Sequence, residues 1–171
     1  MNEIYTYTVP VFIKSLGGLK NVLLKAKEDV ASGKLDEAKL MEDRLAPDMF
    51  PFVKQVQIAS DQAKNLVLRL TDADVPKFED TETTLDELIA RIDATIAYLE
   101  TVTPEPFADV AEKKVVVPYF APKYFKGFEY ARDYVIPNFF FHVSMAYALV
   151  RRNDVAVGKA DFINGLPLID A

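Results

Sequence analysis

His142 is the one imidazole in a chain of 171 residues that contains no cysteine. These two counts bound the chemistry. A thiolate nucleophile, a disulfide and a cysteine-held zinc or iron–sulfur centre are excluded, and so is any all-protein site that needs two imidazoles. A single histidine can still act as an acid, a base, a lone ligand or a polar anchor. Asn138 lies four residues earlier, about 40° away on the same helical face. Ser144 is two residues later, and an i,i+2 pair does not share a face, so no local Ser–His nucleophile forms. A di-iron bundle would need Glu-x-x-His pairs, but Phe139 stands three residues before His142. A lone histidine on an apolar helix is more often a hydrogen-bonded core residue than a ligand, and burial there favours the neutral ring. The acidic segment 72–83 invites a calcium reading. An EF-hand loop from Asp72 would want glycine at its sixth position and glutamate at its twelfth, where this chain has Lys77 and Thr83. It is therefore expected to be a solvated acidic loop.

The elements that must position these residues are helices. Phe12, Leu16, Leu19, Leu23, Ala26 and Val30 repeat every three or four residues, which predicts a helix over about 8–30 with Pro10 near its start. Gly17-Gly18 inside it marks a close helix–helix approach. A short helix is expected at 36–45 and a long one at 51–71, with Val56, Ala59, Ala63, Leu66 and Leu70 facing inward. Thr84-x-x-Glu87 is a capping box that opens a third long helix, whose stripe is Leu85, Leu88, Ile92, Ile96 and Leu99. Residues 115–119 and 124–125 are β-prone, and Pro118 confines them to an edge. The last helix is expected at 128–153, kinked or broken at Pro137. It carries Phe139, Phe140 and Phe141 in succession, so it is apolar nearly all round and is central to the fold or faces a partner. The tail from Val155 reads as short and mixed.

Charge narrows the partners. Twenty basic against twenty-six acidic residues leave a net −6. Nucleic-acid binding needs a positive stripe, which Lys113-Lys114 and Arg151-Arg152 are too short to make. The acid excess also repels anionic membranes. The most apolar stretch, 135–150, has 16 residues, short of the ~20 that span a bilayer. MNEIYTYTVP shows no basic segment followed by an apolar run, so no signal peptide is expected. The expectation is one soluble, cytoplasmic domain over 1–171.

The strings RLAPDMFPF leading into QVQIASD, and PNFFFHVSMAYALVRRNDV, resemble the DinB-like (DinB/YfiT) metalloenzyme superfamily, within it a branch of unknown function. The resemblance spans the chain from VPVF to VGKADF. It implies an all-α, up-down-down-up four-helix bundle, here with a small β-hairpin excursion before the last helix, and frequent homodimers. Typical members hold a divalent metal with three histidines, one on the second helix and an H-x-x-x-H pair on the fourth. Carried over, those positions fall on Gln57, Asn138 and His142. Two amides and one imidazole make a poor transition-metal site. Asp61, one turn beyond Gln57, is the nearest carboxylate.

The first expectation is therefore a metal-free, cofactor-free binding module in which Gln57, Asn138 and His142 line a polar pocket for a small molecule. Its plainer version is a self-satisfied Gln–Asn–His knot. A structural role as a homodimer stands beside it. The alternative is a metal-dependent enzyme, of hydrolase or thiol-transferase type, with a degenerate site centred on His142. No residue pattern names a reaction.

Overall fold

The computed structural model describes residues 3–169. Its long helices are α1 (Glu3–Ala31), α3 (Phe52–Thr71), α4 (Leu85–Glu100) and α6 (Ile136–Arg152), joined by the short α2 (Glu37–Glu42). Each long helix buries one apolar stripe, so four of them close around a shared core. α1 packs on α4 and α6, and α3 packs on the same two from the opposite corner. The result is an all-α, up-down-down-up bundle. Phe12 of α1 meets Phe139 of α6 with ring centroids 4.2 Å apart, and both are fully buried.

Helix ends follow the sequence. The Thr84–Glu87 capping box forms in full, which satisfies first-turn N–H groups of α4. α3 stops at Asp72, whose φ of 58° turns the chain out of the helix. α1 differs from expectation. It begins at Glu3, so Pro10 lies inside it rather than near its start.

The connection between α4 and α6 holds the expected excursion, shortened to the antiparallel strands β1 (Lys114–Val115) and β2 (Phe125–Lys126). Gly127 opens the three-residue α5 (Gly127–Glu129) and anchors the excursion to the bundle. A Cβ there would sit 1.9 Å from the Val110 carbonyl oxygen, so only glycine allows this approach. The last helix is not one α-helix from 128. Residues Tyr130–Val135 form a π-helical stretch, and α6 starts only at Ile136, with Pro137 in its first turn. The backbone stays helical through Val135 and Ile136, so the chain does not break at Pro137; the irregularity is the π-helical stretch just before it, where the proline has no N–H to continue the preceding ladder.

The tail is more ordered than its composition indicated. α7 (Lys159–Ile163) packs on α1, and a Cβ on Gly18 would come within 2.6 Å of the Phe162 carbonyl oxygen. The Gly17-Gly18 pair does mark a close helix approach, and its partner is α7. Among the described residues, no helix is long and apolar enough to cross a membrane.

Candidate functional site

His142 projects from α6 into the seam with α3 and is 6% exposed. Its Nδ1 lies 2.7 Å from Oε1 of Gln55. The proton on this bond can be placed by following the amide. Gln55 Nε2 donates to the Phe50 carbonyl oxygen at 2.8 Å, so its Oε1 must be the end that faces the ring. An amide oxygen only accepts, and Nδ1 therefore carries the hydrogen. Burial pushes the ring's pKa down to about 4, which keeps it neutral at physiological pH. The lone pair is then on Nε2. No described residue bonds that atom, and it is not among the atoms sealed from solvent without a partner. Phe141 stands edge-on to the ring at 5.2 Å. Phe141 and Phe50 are themselves exposed, at 47% and 56%.

Asn138 keeps its place one turn before His142 and is half-buried. No hydrogen bond joins it to His142 or Gln57 among the described residues. Gln57 is drawn elsewhere. Two residues from Gln55, it points about 160° around α3 from it. Its Nε2 donates to Glu82 at 2.7 Å, and its carbonyl oxygen accepts from Arg91 at 3.3 Å. The expected Gln57–Asn138–His142 knot is thus not formed, and Gln55 takes the role of amide partner to the histidine. Neither His142 nor Asn138 lines any of five clefts of about 240 to 470 Å³ elsewhere on the described residues. The buried His142 is thus flanked in sequence by the exposed Phe141 and bonded through Gln55 to the backbone of the exposed Phe50.

Gln57 belongs to a second, charged cluster around Arg91 of α4. The Arg91 side chain is 1% exposed and reaches Asp61 at 2.9 Å, Asp80 at 2.7 Å and Glu82 at 2.9 Å. Lys64 pairs with Asp61 at 3.0 Å, and Lys54 with Asp80 at 3.0 Å. Phe78 covers the guanidinium 4.6 Å from its ring centroid. Burial alone would raise the carboxyl pKa of Glu82, but bonds from Arg91, its own backbone and Gln57 outweigh it and bring the value down. Asp80 behaves alike: burial raises it, and the bonds from Lys54 and Arg91 lower it further. The acidic loop is accordingly not merely solvated. Two of its carboxylates tie it to a buried arginine on the bundle. Sequence reasoning missed Arg91 and Gln55, although both carry a signal. Arg91 falls three residues after Leu88 and four before Thr95, inside the buried stripe of α4, and Gln55 falls three after Phe52 and four before Ala59 on α3.

The three-imidazole metal centre does not fit these residues. Nδ1 of the single imidazole is spent on a neutral amide, and the Asp61 carboxylate is spent on Arg91 and Lys64. Among the described residues no group of three His, Cys, Asp or Glu side chains could hold a metal ion.

Comparison with known proteins follows the same architecture. Residues 4–163 match the family described as Domain of unknown function (DUF1993). The crystal structure of a DinB family member protein from Shewanella denitrificans is 40% identical, with a TM-score of 0.92, and the match covers 98% of this chain and 95% of that one. No curated protein matches. Sequence, fold and these matches agree that the chain belongs to the DUF1993 family of unknown function, a DinB-like four-helix-bundle family.

Proposed function

We propose that this protein is a metal-free, cytoplasmic binding module that holds a small organic molecule at the rim of the α3–α6 seam. The observation that carries this reading is the bond from His142 Nδ1 to Gln55, which leaves Nε2 as an acceptor with no partner among the described residues. A ligand O–H or N–H donates to Nε2. Asn138, one turn earlier, offers an amide to the neighbouring polar atom, and the Phe50 and Phe141 rings flank the apolar part. Gln57 contributes indirectly, by fixing α3 through Glu82 and Arg91. Phenol and benzamide serve as probes. Either one is expected to shift the His142 ring and Asn138 side-chain NMR signals, and His142→Phe to abolish the shift. Absence of a shift with both probes at about 20 mM, weaker than the efficiency expected of fragments this small, would overturn the reading.

The same open Nε2 is what a metal-dependent enzyme centred on His142 would use as its single imidazole ligand. Zinc and nickel titration of protein made without an affinity tag separates the two, since the binding module takes up neither. The exposed Phe50 and Phe141 rings also offer an apolar patch for a homodimer, and Phe141→Glu would then lower the mass seen by light scattering.

A further inference from the structure

A different surface lies where the first two turns of α1 meet residues 128–136. Two clefts of about 300 and 470 Å³ adjoin there and share Glu3, Ile4 and Phe128 as walls. The smaller one is apolar. Ile4, Tyr7, Phe128, Ala131 and Ile136 line it, and the hydroxyl of Thr8 is turned away to donate to the Ile4 carbonyl oxygen. Its far wall is the π-helical stretch, which supplies Ala131 and Arg132. Such wide turns are energetically poorer than α-turns and occur frequently at functional sites. Here the wall residue is alanine, so the space is left unfilled. Tyr7 stands at the rim, 67% exposed.

The charges around the two clefts have one sign once pairs are cancelled. Among the described residues, Arg132 is the single cation in the lining. Its Nε and one terminal nitrogen both bond the Asp133 carboxylate at 2.7 Å, and its guanidinium covers the Phe128 ring at 5.0 Å. Glu3 at the junction and Glu105 in the larger cleft have no cationic partner among the described residues. We infer that the paired clefts bind a small primary amine, its aromatic or branched body beside Ala131 and Ile136 and its ammonium between Glu3 and Glu105.

Phenethylamine and 3-phenylpropionate differ only in the charged end and make a matched pair of probes. Calorimetry and amide shifts at Tyr7 and Ala131 are expected to show millimolar binding of the amine, with the acid at least about fivefold weaker, as befits exposed charge pairs. The double variant Glu3→Gln/Glu105→Gln, at surface positions that leave the core intact, should weaken the amine by about the same factor and close the gap to the acid. Tyr7→Ala should weaken both probes. His142→Phe should change neither, which separates this site from the one at the α3–α6 seam. No shift with the amine at about 20 mM, equal affinity for amine and acid, or a double variant that binds the amine unchanged would each overturn the inference.

Discussion

Gln55 and Gln57 are two residues apart on α3 and each is 1% exposed, yet they serve different kinds of polar cluster. Gln55 faces α6 and completes a neutral relay from the Phe50 carbonyl to His142, which ends in an open acceptor. Gln57 faces α4 and the acidic loop, where Arg91 is surrounded by Asp61, Asp80 and Glu82 and balanced further by Lys54 and Lys64. In the second cluster every charge has an opposite partner, so its work is to hold a segment that lacks regular structure against the bundle. In the first, His142 Nε2 has no partner among the described residues. Buried polarity alone does not mark a binding site. Gln57 Oε1 and Arg91 Nε are buried without a partner inside the second cluster, so what sets the first apart is that His142 Nε2 is not sealed from solvent.

The two clusters should respond to different perturbations. The largest effect is expected from Arg91→Leu, which leaves Asp61 and Glu82 without their buried cation and should cost about 4 kcal/mol in urea unfolding. It should also raise proteolysis within 72–84 while the His142 ring signals stay in place. Acid comes next and divides the clusters by pH. The pKa of His142 is depressed in the folded state, so the unfolded chain takes up a proton first. Stability is then complete above the ordinary histidine value of 6.5 and falls by about 3 kcal/mol as pH drops to about 4. Asp80 and Glu82 are also depressed, from 3.8 and 4.5, so their contribution is retained down to those values and lost below them. In His142→Phe the loss between pH 6.5 and 4 should vanish while the step below 4 persists. Gln55→Leu should cost about 2 kcal/mol, because the Nδ1 hydrogen is left buried without an acceptor. Gln57→Leu is expected to cost less, about 1 kcal/mol, since its Oε1 is already buried without a partner and its removal offsets part of the lost bond to Glu82.

Much of the bundle was legible in the sequence because local rules set it. The stripes of α1, α3 and α4 and the Thr84 cap each follow from residues within one or two turns. The histidine's partner was not legible for a different reason. Gln55 and His142 are 87 residues apart, and which of two nearby glutamines meets the ring depends on the rotation of α3 about its axis. α3 packs on both α4 and α6, so it buries polar residues on two faces and its apolar stripe leaves that rotation undefined. The family pattern favoured Gln57, and the packing brings Gln55. Likewise, the charges of the loop read as solvated because nothing local shows that Asp80 and Glu82 return to an arginine eleven and nine residues further on. Pro137 forbids one backbone bond, but the π-turns that absorb the loss arise from how residues 127–135 are held against the core.

The account rests on the state of one ring, and a nitrogen-detected NMR titration of His142 tests it most directly. The prediction is a neutral ring with hydrogen on Nδ1 and a bare Nε2, unchanged from pH 8 until it protonates near the value of about 4 set by its burial. A ring that carries its hydrogen on Nε2, or that titrates near the ordinary 6.5, would contradict the assignment of Nε2 as the open acceptor.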